Sequence, residues 1–268
     1  MTALLETHGL TVTYGGVSAN SQIDLEVVAG RLVGLIGPNG AGKTTFIDAI
    51  TGFTRPTAGE VCFAGRRINE LAPAARARLG LTRTFQSLEL FEDLSVAENL
   101  LAAAERPVWW TFLNDIIRPS RRPAVGGHVD WALEAVGVGE LRDRMPSDLS
   151  HGERKLVSVA RALASRPRLI LLDEPAAGLD TSESQLLGAH LRGLLDGDMT
   201  VFLIDHDMGL VLNVCDYLYV LDFGKVIAQG TPAQIRSDPT VVAAYLGQSA
   251  SSEASQVLAG EVVSPTTA

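Results

Sequence analysis

Residues 37–44 combine three glycines with a lysine and a threonine at a spacing that suits phosphate binding. The segment reads Gly37-Pro-Asn-Gly-Ala-Gly42-Lys43-Thr44, a glycine followed after four residues by Gly-Lys-Thr. Successive backbone N–H groups can surround a triphosphate only where missing side chains let the chain curl around it. We expect Lys43 to reach the outer phosphates and the Thr44 hydroxyl to bind Mg²⁺. The predicted nucleotide contacts here are Gly37, Asn39, Gly40, Ala41, Gly42, Lys43, Thr44 and Thr45.

Two adjacent acids follow a short apolar run further along the chain. The run Leu169–Leu172 leads directly into Asp173 and Glu174. Ligands of an open α/β sheet lie at the carboxyl ends of its strands. If this strand neighbours the phosphate loop, Asp173 is expected to hold Mg²⁺ through water and Glu174 to polarise an attacking water. The alternative is that the two acids only cap the following turn, Pro175–Gly178.

His206 follows a second apolar run, Thr200–Ile204, and stands in the sequence Asp205-His206-Asp207. A lone histidine is more often structural than catalytic. A histidine at the end of a strand beside the phosphate-binding strands is, however, placed to donate a hydrogen bond to a terminal phosphate. We therefore predict a catalytic role for His206, with a structural role as the alternative.

These residues need a scaffold in which several strands end side by side. Leu32–Ile36 is a short apolar run that stops at the glycine loop, and Lys43–Ile50 follows it with helical spacing. Leu169–Leu172 and Thr200–Ile204 are typical of strands buried on both faces of a parallel sheet, and Ser182–Leu195 is helix-like. A strand before the loop and a helix after it favour phosphate binding over an ordinary glycine-rich turn.

The remainder of the chain has other patterns. Residues 10–27 alternate apolar and polar side chains, which predicts antiparallel strands. From about Ser95 to Ala164 there is no good strand pattern, and three stretches are compatible with helices. We predict an α/β fold: a P-loop NTPase core with a mostly parallel sheet, an antiparallel β subdomain and an inserted helical subdomain. The three helical stretches are Val96–Ala104, Val129–Val136 and Gly152–Leu163.

The segment that opens the last of these helices resembles a family signature. Leu149-Ser-His-Gly-Glu153, in order with the glycine loop, Asp173-Glu174 and His206, is similar to the ATP-binding subunits of ABC transporters. The resemblance extends from about Leu4 to Gly247. It implies ATP and Mg²⁺ as cofactors, and a dimer in which each phosphate loop faces the signature of the other subunit.

The same resemblance implies roles for further residues. Tyr14 would stack on adenine, and Gln86 would contact Mg²⁺ or the attacking water. Ser150 and the Gly152 amide, at a helix N-terminus, would donate to the γ-phosphate of ATP held by the partner, and Asp180 would touch that partner. Tyr14 could instead be an ordinary strand aromatic, Gln86 a surface amide and Asp180 a helix cap. The motifs and the resemblance together predict three groups of site residues. The catalytic residues are Glu174, His206 and Gln86, and the metal-binding residues are Thr44, Gln86 and Asp173. The further nucleotide-binding residues are Tyr14, Ser150, Gly152, Glu153 and Asp180.

Two features receive no functional role from the resemblance. His151 stands where the usual Leu-Ser-Gly-Gly-Gln has a glycine, and it adds bulk near the phosphates or, when protonated, a donor. An apolar patch beside a basic one, between residues 106 and 127, is interpreted as a loop packed on the helical subdomain. The alternative is contact with a membrane partner or lipid head groups. The patch consists of Trp109, Trp110, Phe112, Arg118, Arg121 and Arg122.

Within the family, the chain looks most like the ATPase subunits of importers for branched-chain amino acids. The stretches that carry this likeness are Arg83–Phe91, Leu172–Gly178, Ile204–Met208 and Ala244–Gly247. We therefore expect an ATP-hydrolysing subunit that powers a membrane importer of branched-chain or other hydrophobic amino acids. Importers of urea or amides and the lipopolysaccharide-export ATPase look similar, and a soluble ABC ATPase acting on ribosomes or in DNA repair is the rival from another class.

Length and charge limit the remaining possibilities. The chain has 268 residues and a formal net charge of −9, which does not suit a general nucleic-acid binder. No leader-like start and no apolar stretch of membrane-spanning length are found, and two cysteines do not make a disulfide framework. We therefore expect a peripheral protein at the cytoplasmic face of the cell membrane.

One ABC ATPase domain is predicted over residues 1–247, with the helical subdomain inserted at about 88–165. Residues 248–268 are rich in Ser, Ala, Thr and Glu and are predicted to be a disordered tail. The expected partners are a second ATPase subunit, integral membrane permease subunits and, indirectly, a solute-binding protein, but no nucleic acid. Homodimer and heterodimer fit equally well.

Overall fold

Two β-sheets with helices packed around them form the structure, a computed structural model that describes residues 2–84, 90–104, 123–197 and 199–246. The strands in chain order are β1 (Ala3–Tyr14), β2 (Val17–Val28), β3 (Leu32–Ile36), β4 (Ala58–Phe63), β5 (Arg66–Arg67), β6 (Leu81–Arg83), β7 (Leu169–Asp173), β8 (Thr200–Ile204), β9 (Tyr217–Asp222) and β10 (Lys225–Gly230). The α-helices are α1 (Lys43–Thr51), α2 (Pro73–Arg78), α3 (Val96–Ala104), α4 (Pro123–Ala135), α5 (His151–Ala164), α6 (Thr181–Gly193), α7 (Met208–Val214), α8 (Pro232–Ser237) and α9 (Pro239–Leu246).

The larger sheet has six strands in the order β10-β9-β3-β8-β7-β6. All neighbours are parallel except β9 and β10. Every residue of β3, β7 and β8 is buried, because helices and the second sheet cover both faces. Leu35 and Asp173 both pair with Ile204, so these three strands end at the same level. The chain segments that follow them therefore meet at one edge.

The smaller sheet is antiparallel, with the order β2-β1-β4-β5. Its strands alternate buried and exposed residues, as expected when only one face meets the core. Leu10, Val12, Ile23 and Leu25 lie on the buried face. This sheet closes one side of the core that also holds α1.

Two apolar cores lie on opposite faces of the larger sheet. The first lies between the two sheets and contains Phe46 and Ile47 of α1, with Phe46 packed edge-on against Phe202 of β8. The second holds the helices on the other face and includes Leu100, Leu133 and further buried aliphatic side chains of α3, α4 and α5. The strands that end beside the glycine loop are thus fixed by apolar cores on both faces of the larger sheet, and the helix that starts at the loop is fixed by the first of these cores.

The predicted α/β class and its main elements are confirmed. Strands β3 and β8 and helix α3 have the predicted bounds, and α1, α5, α6 and β7 differ from them by one or two residues. Helix α4 begins at Pro123, six residues before the predicted Val129. The extents of the domain and of the helical subdomain stay predictions, and the tail lies outside the described residues. Within those residues, no helix combines the length and hydropathy that a bilayer-spanning segment requires.

Candidate functional site

The glycine loop runs from the end of β3 to the start of α1, and its shape depends on missing side chains. A Cβ on Gly37 would lie 2.1 Å from the Leu221 carbonyl oxygen, and one on Gly42 would lie 2.4 Å from that of Ala19. Gly42 also has φ +100°, a conformation that favours glycine. It is the N-cap of α1 and offers no capping side chain. The first backbone N–H groups of α1 are therefore available to an anion.

Lys43 is held inside this loop by the loop's own carbonyl groups. Its ammonium donates to the carbonyl oxygens of Gly37, at 2.5 Å, and Pro38, at 3.0 Å. Burial lowers the pKa of Lys43, and the nearby carboxylates of Glu174, Asp173 and Asp205 oppose that shift. The other predicted loop contacts differ in exposure: Asn39, Gly40 and Thr44 are exposed, Thr45 is half-buried and Ala41 is buried.

Asp173 is the last residue of β7, and the end of β6 holds it in place. The Arg83 guanidinium donates to Asp173 Oδ2 at 2.8 Å and to Asp48 Oδ1 of α1 at 2.5 Å. The Asp173 backbone N–H donates to the Thr84 hydroxyl at 3.3 Å. Asp173 is 5% exposed, so Arg83 compensates a carboxylate that little water reaches.

Glu174 follows Asp173 in a strained backbone conformation. Its φ is +49°, which is unusual for a residue with a side chain. Its N–H donates to the Ile204 carbonyl of β8 at 2.7 Å. Its carboxylate Oε1 lies 3.8 Å from His206 Nδ1, and both side chains are accessible to solvent. The predicted base and the predicted histidine therefore lie side by side, next to Asp173.

Asp205 links the segment after β7 to the segment after β8. Its carboxylate is fully buried and accepts hydrogen bonds from the N–H groups of Ala176 (3.1 Å), His206 (2.8 Å) and Asp207 (3.0 Å). Burial raises the pKa of Asp205, and these three donors oppose the shift. This buried carboxylate orients the backbone on both sides of His206.

The signature segment forms the N-terminus of α5 and is exposed at Ser150 and His151. Ser150 caps the helix: its hydroxyl accepts from the Glu153 N–H at 3.2 Å, and the Glu153 carboxylate accepts from the Ser150 N–H at 2.7 Å. This hydrogen bond lowers the pKa of Glu153. A Cβ on Gly152 would lie 2.8 Å from Glu183 Oε1 of α6, and one on Gly178 would lie 3.2 Å from His151 Nε2.

Asp180 is the N-cap of α6, as the helix-cap alternative predicts. Its carboxylate accepts from the Glu183 N–H at 2.8 Å and from the Ser182 hydroxyl at 2.6 Å. Asp180 can cap α6 and also contact a second subunit, so that predicted contact stays a prediction.

Tyr14 ends β1 with 53% of its surface exposed, and its hydroxyl lies 3.3 Å from that of Thr54.

Some of the predicted residues lie outside the part of the chain that the structure describes. Gln86 lies outside the described residues, as do all six side chains of the apolar and basic patch between residues 106 and 127.

Other residues at the site carried no functional prediction from the sequence. Tyr245 of α9 has its hydroxyl buried beside the Gly37 backbone, and burial raises its pKa. Lys155, four residues after His151 on α5, reaches the segment after Glu174. The position of Asp205, between an apolar strand and His206, was the one available signal for that residue.

A glycine loop between a strand and a helix, beside acids at the end of a neighbouring parallel strand, defines a P-loop nucleotide-binding protein. The family model described as ABC transporter matches residues 20–177. The chain belongs to the ABC transporter family, as the ATP-binding cassette type of subunit. A second model, described as branched-chain amino acid ATP-binding cassette transporter, matches residues 225–251.

Relatives match along nearly the whole chain. The chain is 40% identical to the high-affinity branched-chain amino acid transport ATP-binding protein BraF of Pseudomonas aeruginosa, over 91% of this chain and 98% of BraF. It is 38% identical to LivG of Escherichia coli K12, which has the same description, with the same coverage. A solved ATP-binding cassette of an ABC transporter in its ADP conformation has a TM-score of 0.79 and 32% identity, over 92% of this chain and 100% of that one.

Proposed function

We propose that this chain is the ATP-hydrolysing subunit of a membrane importer for branched-chain or other hydrophobic amino acids. The observation that carries the hydrolytic part is the arrangement of Lys43, Asp173, Glu174 and His206 at the ends of three parallel strands in register. The substrate class is supported by the names of BraF and LivG, which match along nearly the whole chain.

The loop and its lysine bind the nucleotide. The N–H groups at the start of α1 and the Lys43 ammonium contact the β- and γ-phosphates, and the exposed ring of Tyr14 stacks on adenine. The oxygen donors of Thr44 and Asp173, with Gln86, suit Mg²⁺, which prefers hard oxygen ligands. When bound, Mg²⁺ supplies positive charge that offsets the charge on the phosphate oxygens.

Glu174 and His206 act on the reacting groups. The Glu174 carboxylate orients a water and accepts its proton as the water oxygen bonds to the γ-phosphorus. The bond from that phosphorus to the bridging oxygen breaks, and ADP and phosphate leave. His206 Nδ1 lies 3.8 Å from Glu174 Oε1 and 3.5 Å from Asp205 Oδ1. The His206 side chain donates a hydrogen bond to the γ-phosphate.

A second ATPase subunit completes each site in this proposal. The Ser150 hydroxyl and the Gly152 N–H, at the exposed N-terminus of α5, donate to ATP held by the opposite subunit. Hydrolysis removes the charge that bridges the two subunits, and the dimer opens. Permease subunits bound at the cytoplasmic face of the membrane convert this opening into transport of a solute delivered by a binding protein.

Glu174→Gln tests the hydrolytic assignment. We expect ATP binding to be retained and turnover to fall by at least about 100-fold, because the amide cannot accept the proton. The nucleotide-loaded dimer should persist, as seen by size-exclusion chromatography with ATP. A monomer with normal turnover would refute the role given to Glu174.

The transport assignment needs a separate experiment. Affinity purification from membranes should recover integral membrane subunits, and branched-chain amino acids with their binding protein should stimulate ATP hydrolysis in the reconstituted complex. Stimulation by urea or amides instead, or export of lipopolysaccharide, would replace the amino-acid assignment. Recovery with ribosomes or DNA would favour a soluble ABC ATPase.

A further inference from the structure

Lys155 connects the helix that carries the signature to the residue proposed as the base. It lies on α5, about one turn beyond the exposed Ser150 cap, and its half-buried side chain reaches the turn that follows β7. Its ammonium donates to the Glu174 carbonyl oxygen at 3.4 Å and, closer, to that of Ala177. The neighbouring Arg154 instead donates to Glu92 and to the Pro146 carbonyl.

The turn that Lys155 reaches is strained and is fixed by several hydrogen bonds. Glu174 has φ +49°, a conformation that is unfavourable for a residue with a side chain and persists only where the surroundings fix it. The Glu174 N–H donates to Ile204, and the Glu174 carbonyl accepts from the Ala177 N–H at 3.3 Å as well as from Lys155. Of these partners, only Lys155 belongs to the helical part of the chain between β6 and β7.

The charge and the burial of Lys155 suit a side chain that stabilises the turn after β7. The Lys155 side chain is half-buried, and burial lowers its pKa while the nearby carboxylates of Asp205 and Glu174 oppose the shift. A cation that donates to two carbonyl oxygens at the end of a turn stabilises that turn as it would a helix C-terminus. The contact of Lys155 is with the Glu174 backbone, so the carboxylate of that residue stays available to water.

We propose that Lys155 is a positioning residue for Glu174. It fixes the strained backbone from which the carboxylate projects, and it ties this backbone to α5. The inference rests on the proposed function, in which the N-terminus of α5 contacts ATP held by the opposite subunit. A shift of α5 when that ATP is bound or cleaved is then transmitted through Lys155 to the base of this chain's own site.

The test compares Lys155→Met with Lys155→Arg and with Arg154→Met in the full chain, paired with its second ATPase subunit where hydrolysis requires one. Lys155→Met should lower kcat by about 10- to 100-fold through misplacement of the base, with the KM for ATP within about threefold of the wild-type value. Lys155→Arg retains a donor to both carbonyls and should restore most of the activity. Arg154→Met removes the same charge one residue away and should leave kcat within about threefold of wild type.

Hydrogen exchange supplies a readout that does not depend on activity. The peptide containing residues 174–178 should exchange faster in Lys155→Met, while peptides from β8 remain as protected as in wild type. If Lys155→Met does not fold, Lys155→Gln, which retains a donor without the charge, should show the same two changes to a smaller degree.

Failure of this inference can be told apart from failure of the proposed function. If Glu174→Gln abolishes turnover but Lys155→Met changes neither kcat nor exchange at 174–178, Lys155 has no positioning role and the function stands. Equal losses of kcat in Lys155→Met and Arg154→Met would also overturn the positioning role. They would mean that the overall charge of α5 matters and that the contact of Lys155 with the Glu174 carbonyl does not. Normal turnover in Glu174→Gln would remove the proposed function itself.

Discussion

At the scale of single residues, the site depends on charges that are compensated within the fold. Arg83 is the central case, since its side chain is 9% exposed and lies between Asp48 of α1 and the buried Asp173 of β7. Breaking a buried pair is costly because the partner charge is left without compensation. Arg83 thereby joins the helix that starts at the glycine loop to the strand that ends at the predicted metal ligand.

Arg83→Met is therefore expected to lower the free energy of unfolding by about 3–5 kcal/mol. Denaturation followed by circular dichroism measures this loss. The matched control is Arg55→Met, because Arg55 pairs with Glu70 where both side chains are mostly exposed, and such a pair contributes about 1 kcal/mol or less. Similar losses in the two variants would show that Arg83 does not compensate Asp173.

The site residues that could be predicted from the sequence are marked by neighbouring residues in the chain. The site residues that were missed are defined by contacts with residues far away in the chain. The glycine loop, Asp173, Glu174 and His206 could be predicted because each follows a recognisable apolar run. Lys155 could not, because it contacts carbonyl groups 19 and 22 residues away across a helix–strand interface. No local pattern specifies which side chain of a helix meets which turn.

At the scale of elements, the strands were easier to predict than the helix boundaries. Strands β3 and β8 are apolar throughout and are bounded by loops, so their ends follow from the pattern. Helix α4 starts earlier than predicted because Pro123 suits a helix N-terminus and the helix continues through Gly126 and Gly127. Two glycines lower helix propensity, but burial of Val129, Leu133 and other residues against α3 and α5 overrides it.

The capping boxes of α5 and α6 predict a pH dependence of stability. Hydrogen bonds lower the pKa of Asp180, through the Ser182 hydroxyl and the Glu183 N–H, and that of Glu153, through Ser150. Folded-state pKa values below the unfolded ones give stability that is present at neutral pH and is lost as the pH falls through the folded values. The caps should therefore weaken below about pH 4.

Asp180→Asn separates this effect from other acid-dependent losses. Asparagine caps a helix about as well as aspartate but carries no titrating charge. The fall in melting temperature between about pH 5 and about pH 2.5, the range in which the lowered pKa of Asp180 is crossed, should be smaller in Asp180→Asn than in wild type. Parallel falls in the two proteins would mean that the charge of Asp180 does not stabilise α6.

At the scale of the whole molecule, the proposed function requires one chain to supply two half-sites. The nucleotide loop lies where β3 ends, and the signature lies at the exposed N-terminus of α5. The Ser150 hydroxyl is occupied by the Glu153 N–H in its own chain but remains at the surface. A net charge of −9 on each subunit does not prevent association, because charges separated by more than about 10 Å are largely screened at physiological salt.

Composite sites predict that hydrolysis depends on pairing. Without the membrane partner, the hydrolysis rate should rise faster than linearly with protein concentration, because only the dimer is active. Mixing two inactive chains gives a sharper result. Where the chain pairs with itself, a mixed dimer of Glu174→Gln and Ser150→Arg has one site with an intact Glu174 and an intact opposing Ser150. Half of the dimers in an equal mixture are mixed, so about a quarter of wild-type activity should be recovered. Rates strictly proportional to concentration, with no recovery on mixing, would place each complete site within a single chain.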